Sequence, residues 1–224
     1  MKFIVQYLMI LISTLPLAAC AMPLTYSAEP MQARVIDADT KQPLAGVIVT
    51  ANWQLEKGTP GGNIQAGQLM VMEAVTDQDG KFAFPGWGPK TVWKGFLVNE
   101  DPQLLLFKPS YEHQRLYNKY NSTRELRTRK VRRSDWDGKT LALKPFKGAQ
   151  EEYADHLSFL HTSIRSIMAD EDCEWKRIPR LSVAMHKQKA IFRKEKILSS
   201  LYSIEDLPNK ACGSPKEFFK EHLQ

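Results

Sequence analysis

Short strand-like segments separated by turn signals follow residue 30, and they constrain the fold of this chain more than any other feature. The segment 44–53 is rich in β-branched residues, and large apolar side chains stand at every second position of the segment 81–84. Asp-Gln-Asp-Gly at 77–80 reads as a tight turn between two such segments. Further candidates lie at 32–37, 68–76, 91–98, 103–108 and 140–144. With no helical period between them, these segments predict a β-sandwich.

Two motifs in this region stand in the order and spacing of a known family. The first reads VID and then QPLAGVIV within 35–49, and the second reads AVTDQDGKFAF at 74–84. They resemble the V-x-D…PL-x-G-x-x-V and T-D-x-x-G-x-F-x-F motifs of the carboxypeptidase regulatory-like family. The resemblance covers roughly 31–147, with enlarged loops around 55–67 and 111–135, and Ser110 replaces the usual glycine of a later Gly-Tyr segment. It implies a transthyretin-like Greek-key β-sandwich.

The hydrophobic period becomes helical after Gly148. Apolar residues recur at spacings of three and four, which predicts an amphipathic helix over 151–168. A basic helix is predicted over 180–202, and Ser214-Pro215 opens a short last helix. The fold class is therefore mainly β, with residues 148–224 as a small C-terminal helical appendage.

The first 19 residues have the pattern of an export signal, with one lysine, an apolar run over 3–12 and small residues at the end. The pattern ends in Leu-Ala-Ala at 17–19 and is followed by Cys20. This tetrapeptide resembles the bacterial lipobox. That resemblance implies cleavage before Cys20 and acylation of its thiol by fatty chains such as palmitate. An uncleaved membrane helix over 3–24 is the alternative; it is just long enough to span, and Pro16 disfavours it.

The expected address of the mature chain is the cell envelope. Two or three acyl chains hold a protein on a bilayer effectively permanently. Ala21 stands where an aspartate usually retains lipoproteins in the inner membrane. By resemblance, this points to the periplasmic face of the outer membrane, and residues 20–30 are predicted to be a tether.

The other two cysteines, Cys173 and Cys212, are predicted to form a disulfide. The chain has three cysteines, so lipidation of Cys20 leaves an even pair in an oxidising compartment. Closing a loop of this length is worth roughly 4 kcal/mol in the chain-entropy description. Two free or metal-binding thiols are the alternative, and no CxxC or Cys/His spacing supports it.

A basic segment over 115–133 concentrates much of the formal net charge of +6. Because a lipidated periplasmic protein rarely meets nucleic acid, the functional interpretation is contact with anionic phospholipid or lipopolysaccharide phosphate. The alternative is a solvated loop and strand edge, where charges also block pairing with another chain. The candidate anion-binding residues are Arg127, Arg129, Lys130, Arg132 and Arg133.

The sequence contains no motif of a known catalytic site, and no cofactor is expected. None of the five histidines is followed at the third position by the glutamate of an H-x-x-E zinc peptidase, and nucleophile-elbow, P-loop and HExxH motifs are missing. Glu152, His156 and His161 share one predicted helix and suggest either a metal or acid–base site or a solvated face. Asp77 and Asp79 resemble the opening of a calcium loop, but a tight turn explains them better.

The resulting expectation is a lipid-anchored, non-catalytic interaction or scaffolding module with an unknown envelope protein as partner. The alternative is a carbohydrate- or envelope-polymer-binding accessory module. It depends on tryptophans that either stack on sugars or fill the sandwich core. These tryptophans are Trp53, Trp87, Trp93 and Trp136.

Overall fold

The computed structural model describes residues 23–93, 95–98, 101–119, 131–169, 173–208 and 212–223. Over these residues the chain forms strands first and helices afterwards, which confirms the predicted fold class of a mainly β protein with a helical C-terminal region. The strands are β1 Leu24–Ala28, β2 Met31–Asp37, β3 Ile48–Thr59, β4 Gly62–Val75, β5 Lys81–Phe84, β6 Trp87–Val92, β7 Phe96–Leu97, β8 Gln103–Phe107, β9 Gln114–Leu116, β10 Val131–Arg132 and β11 Thr140–Leu143. The helices are α1 Gln150–Ala169, α2 Pro179–Lys194 and α3 Pro215–Phe219, with 3₁₀ turns at Glu174–Arg177 and Ile204–Asp206. None of the helices described is long and apolar enough to cross a bilayer.

The strands pair into one larger sheet and two three-stranded sheets. The larger sheet has the order β4-β3-β8-β9, and β7 also pairs with β3. The smaller sheets have the orders β10-β1-β6 and β11-β2-β5. Apolar side chains from all three sheets, including Val35, Val49, Phe84 and Leu106, belong to one core. The small sheets therefore cover one face of the larger sheet and complete the β-sandwich.

Strand β8 lies at the centre of the molecule, and all five of its residues are buried. Side chains alternate along a strand, so its residues divide between two cores. Leu104 and Leu106 pack in the sandwich core, whereas Leu105 and Phe107 pack against the helices. A continuous apolar run of this kind is typical of a strand that is covered on both faces.

The predicted C-terminal helical region forms a third layer on the larger sheet. The amphipathic period of α1 buries Tyr153, Leu157 and Ile164 in the same cluster as Leu105 and Phe107. The predicted disulfide is confirmed: Cys173 and Cys212 are bonded, with Cα atoms 5.4 Å apart. It joins the start of the first 3₁₀ turn to the segment that leads into α3.

Three segments differ from the sequence prediction. The predicted tether contains β1, which pairs antiparallel with β6 and parallel with β10. The loop expected over 55–67 is instead the continuation of the β3–β4 hairpin, whose last pair is Thr59 with Gly62. The predicted strand over 91–98 is divided between β6 and β7, and the basic helix expected over 180–202 ends at Lys194.

The Asp77–Gly80 turn has the hydrogen bonds of a tight turn. The Oδ1 atom of Asp77 accepts the backbone N–H groups of Asp79 at 2.9 Å and Lys81 at 2.8 Å. Gly80 has a φ of +73°, and a Cβ there would come within 2.2 Å of the Val35 carbonyl oxygen. Glycine is required at this position because a side chain would meet backbone.

Candidate functional site

The predicted lipidation site and three of the predicted anion-binding residues lie outside the described residues. Cys20 precedes the described part of the chain, and Arg127, Arg129 and Lys130 fall between residues 119 and 131. Their roles stay predictions.

The other two candidate anion-binding residues are placed differently from each other. Arg132 is only 4% exposed; its guanidinium lies 5.5 Å from the centre of the Tyr26 ring and donates to the Leu97 carbonyl at 3.3 Å. Arg133 is exposed and pairs with Glu29 at 2.7 Å. Arg132 therefore belongs to the interior that fixes β1, and only Arg133 of the two lies where it can meet an anion from solvent.

The helix residues Glu152, His156 and His161 engage separate partners. The Glu152 carboxylate accepts the Ala149 N–H at 2.9 Å, and Nε2 of His156 accepts the His113 N–H at 3.0 Å. The His161 ring packs edge-on against Tyr202, with centroids 4.3 Å apart. Across the described residues, no three His, Cys, Asp or Glu side chains are grouped so that they could hold a metal ion.

Most of the tryptophans proposed for sugar stacking are buried or hydrogen-bonded within the protein. Trp53 and Trp87 are buried and pack edge to face, with ring centroids 5.4 Å apart. Trp136 is half-buried, and its Nε1 donates to the Tyr117 carbonyl at 3.1 Å. Trp93 alone of the four is freely exposed.

A polar cleft lies on the face of the larger sheet that carries the helices. On β3, the side chains of this face change from Ile48 to Asn52 and Gln54, and on β8 they change from Phe107 and Leu105 to Gln103. The helices cover the apolar half of the face. The polar half is left as a cleft of about 480 Å³ between the sheet and α1, which falls in the size range of small-molecule pockets.

Irregular pairing between β3 and β4 brings glutamines from both strands to this cleft. Gln54 is paired with Gln68, and β4 carries an extra residue on each side of that pair. Gly67, in one of these bulges, has a φ of +97°. Bulges re-aim side chains locally, and here Gln54, Gln65 and Gln68 all line the cleft.

The amide groups at the base of the cleft form a hydrogen-bonded row. Gln54 Nε2 donates to Gln103 Oε1 at 3.4 Å, and Gln103 Nε2 donates to the Tyr117 hydroxyl at 2.7 Å. Buried Asp101 supports this row, because its carboxylate accepts the Gln54 backbone N–H. The Tyr117 hydroxyl hydrogen is left free to donate to another group.

Two amide side chains in this region have buried polar atoms without a partner among the described residues. Gln68, which lines the cleft, has a buried Oε1 and a buried Nε2 without such a partner. Asn52, directly opposite Gln103 in the sheet, likewise has a buried Oδ1 and a buried Nδ2 without such a partner. Such groups are uncommon in proteins and are costly unless a partner is supplied.

Two arginines give the cleft a positive charge. Arg115 on β9 lies above the Tyr117 ring, 5.5 Å from its centre, and Arg165 projects from α1. Both are exposed, and neither forms an ion pair with a carboxylate among the described residues. Thr162 and Ser163 of α1 add hydroxyl groups. The cleft can therefore bind an anion and several hydroxyl groups at once.

Sequence reasoning missed this cleft because its glutamines come from three strands. The available signal was the switch from apolar to amide side chains at alternate positions of β3 and β8. Their convergence with Gln68 depends on the bulges, which the sequence pattern does not indicate.

Comparison with known proteins assigns the chain to no family. No protein-family model matches the chain, and no curated protein matches it. Among solved structures, the C-terminal domain of the shaft pilin SpaA from Lactobacillus rhamnosus GG is similar over 55% of this chain and 98% of its own, at 12% identity and a TM-score of 0.26. A 9R-lipoxygenase from Cyanothece PCC8801 is similar over 76% of this chain and 28% of its own, at 12% identity and a TM-score of 0.23.

Proposed function

We propose that the mature chain is a lipid-anchored protein of the bacterial cell envelope that acts as a non-catalytic interaction module. The export pattern and the lipobox-like sequence before Cys20 support the anchor. The motifs similar to the carboxypeptidase regulatory-like family, on a β-sandwich, support a binding role rather than a catalytic one. The periplasmic face of the outer membrane is the proposed address.

The observation that carries the proposal is the position of β1. This strand begins at Leu24, four residues after Cys20. An extended chain spans about 3.5 Å per residue, so the start of β1 lies within roughly 14 Å of an acylated Cys20. The sandwich is then held against the bilayer surface instead of on a long tether.

Exposed apolar side chains at this end of the sandwich fit such a position. Leu24 is 39% exposed and pairs with Val92, and the neighbouring Trp93 is 77% exposed. Tryptophan is favoured at membrane interfaces because one end of its ring system is apolar and the other can hydrogen-bond. Leu24 and Trp93 are therefore proposed to touch the bilayer beside the anchor.

The cleft supports the binding part of the proposal. Its lining offers amides, hydroxyls and guanidinium groups, which recognise ligands by hydrogen bonds. This also favours the second candidate, a carbohydrate- or envelope-polymer-binding accessory module, through the cleft instead of through Trp53 and Trp87. Contact with anionic phospholipid or lipopolysaccharide phosphate is still proposed for the basic segment, through Arg127, Arg129, Lys130 and Arg133.

A labelling and crosslinking experiment in cells tests this proposal. Labelling with a palmitate analogue should mark the wild-type protein and not Cys20→Ser, which should accumulate as a precursor. A photo-crosslinking residue at Gln65, in the cleft, should capture an envelope component that the same residue at Lys41 does not capture. Equal labelling of Cys20→Ser would refute the anchor, and hydrolytic turnover lost on a single change in the cleft would refute the non-catalytic role.

A further inference from the structure

We infer that the cleft between the larger sheet and α1 binds a saccharide that carries a carboxylate or phosphate group. This inference rests on the proposed binding role and names the ligand class of that site. Three properties of the cleft lead to it: its charge, its unpartnered amide atoms and the polar character of its lining.

The charge of the cleft selects an anion. Arg115 and Arg165 bring two guanidinium groups to it, and its lining contains no acidic residue among those the structure describes. A guanidinium group presents a planar fork of N–H donors that matches carboxylate or phosphate oxygens. An anionic group placed between α1 and β9 would therefore gain charge-assisted hydrogen bonds from both sides.

The amide and hydroxyl groups select a ligand with several hydroxyls. A sugar hydroxyl both donates and accepts hydrogen bonds, and so it pairs well with the Oε1 and Nε2 atoms of a glutamine. Gln68 lines the cleft and both of its amide atoms lack a protein partner among the described residues, so a rotation of this side chain towards the cleft would let them pair with a sugar hydroxyl. The row from Gln54 through Gln103 leaves the Tyr117 hydroxyl as a donor beside it.

The lining argues against ligands that depend on apolar contact. No aliphatic side chain lines the cleft among the residues the structure describes. Its one aromatic ring, Tyr117, is already covered by the Arg115 guanidinium. An acyl chain or an apolar peptide would gain little here, whereas a polyhydroxylated ring can exchange hydrogen bonds with water for hydrogen bonds with the polar lining.

Calorimetric titration of the full-length protein purified from membranes in detergent tests the inference. One probe is a tetrasaccharide of alternating glucuronate and N-acetylglucosamine, and a second is glucosamine 6-phosphate; chitotetraose and inorganic phosphate are the neutral and sugar-free controls. Binding of the first probe but not the second assigns a carboxylate, and the reverse assigns a phosphate. The acidic saccharide that binds should have an affinity at least about tenfold higher than that of chitotetraose.

Variants locate the binding in the cleft. Arg115→Gln and Arg165→Gln should each weaken binding of the acidic saccharide about tenfold. Arg193→Gln, which removes the same charge from an exposed position on α2, should leave it unchanged. Gln68→Leu should weaken binding and also raise the urea midpoint, because it removes a buried amide that lacks a partner. A purely structural Gln68 would instead lose stability.

Several outcomes would overturn the inference. These are equal affinity for chitotetraose, binding of inorganic phosphate as tight as that of the phosphosugar, equal effects of the cleft variants and Arg193→Gln, or no binding of either acidic probe. The intact mass of the N-terminal peptide, measured on the same preparation, reports acylation of Cys20 separately. Failure of the saccharide site is thereby distinguished from failure of the proposed anchor.

Discussion

Glu73 of β4 caps helix α2 at Leu181, whose backbone N–H lies 2.8 Å from Glu73 Oε1. Oε2 of the same carboxylate accepts the Arg180 N–H at 2.9 Å. The residue before the helix, Ile178, provides no side-chain cap. A residue of the sheet therefore satisfies the first N–H groups of the helix, and this contact fixes the start of α2 on the larger sheet.

Replacing Glu73 should loosen the junction between the sheet and the helices. Burial raises the pKa of the Glu73 carboxyl and offsets part of the gain from its two hydrogen bonds. We therefore expect Glu73→Ala to lower the free energy of unfolding by about 1–2 kcal/mol in urea denaturation. Glu73→Gln should cost less, since it keeps one acceptor. An equal loss for Glu221→Ala, at an exposed C-terminal position, would contradict the role of this cap.

Arg132 should act on stability and not on lipid binding. Because its guanidinium is buried against Tyr26, Arg132→Gln is expected to lower the free energy of unfolding by about 1–3 kcal/mol. Arg133→Gln, which breaks an exposed ion pair, should cost about 0–1 kcal/mol. Urea denaturation gives both values, and a neutral effect of Arg132→Gln would show that the buried contact is dispensable.

Stability should fall in mild acid because of His113. Burial, together with the nearby charges of His156 and Arg115, lowers the pKa of His113 to about 4. In the unfolded chain this imidazole titrates near 6.5, so the unfolded state takes up its proton first. This contribution to the free energy of unfolding is fully present above pH 6.5 and falls by about 3 kcal/mol as the pH falls to 4.

Urea denaturation at pH 7 and pH 4.5 measures this pH dependence. The variant His113→Gln, which has no proton to take up, should show a smaller difference between the two pH values than the wild type. His222→Gln, at an exposed position, serves as the control and should behave like the wild type. An unchanged pH dependence in His113→Gln would assign the effect to other groups.

Trp93 should report contact with the bilayer. In acylated protein reconstituted into vesicles that contain brominated lipids, the exposed Trp93 should be quenched, whereas the buried Trp53, Trp87 and Trp175 should not. Trp93→Ser should abolish most of this quenching. Leu198→Ser, which changes an exposed apolar residue of the helical layer, should have no effect. Quenching that persists in Trp93→Ser would place another tryptophan at the membrane.

Local patterns predicted the elements whose burial repeats along the chain. Alternation over 81–84 and 140–144 matches β5 and β11, and the three-and-four spacing over 151–168 matches α1 within one residue at each end. These predictions succeed because each element has one buried face, so apolar residues recur along the sequence with the period of that element. Strand β1 was not predicted because its five residues stand between two prolines, and its extended conformation depends on pairing with β6 and β10.

Long-range placement was beyond the reach of the sequence. The disulfide could be predicted by counting cysteines, but the burial of Arg132 depends on a parallel pairing between β1 and β10. The cleft depends on bulges that bring Gln54 and Gln68 together. The pairing of β1 with β10 leaves no local signal because the two strands lie far apart along the chain, whereas the bulges lie within one hairpin and interrupt the alternation from which its faces would be predicted.

The double burial of β8 means that the sandwich is not expected to be soluble without its helices. A chain that stops at Lys147 would expose Ile48, Val71 and the β8 side chains Leu105 and Phe107, which the helices cover in this structure. Since β8 is paired with a strand on each side, the newly exposed Leu105 and Phe107 side chains, rather than its backbone, would promote self-association. Boundaries drawn at the end of the family-like motifs would therefore yield an aggregating fragment, and the protein is best handled as one unit that extends to its last helix.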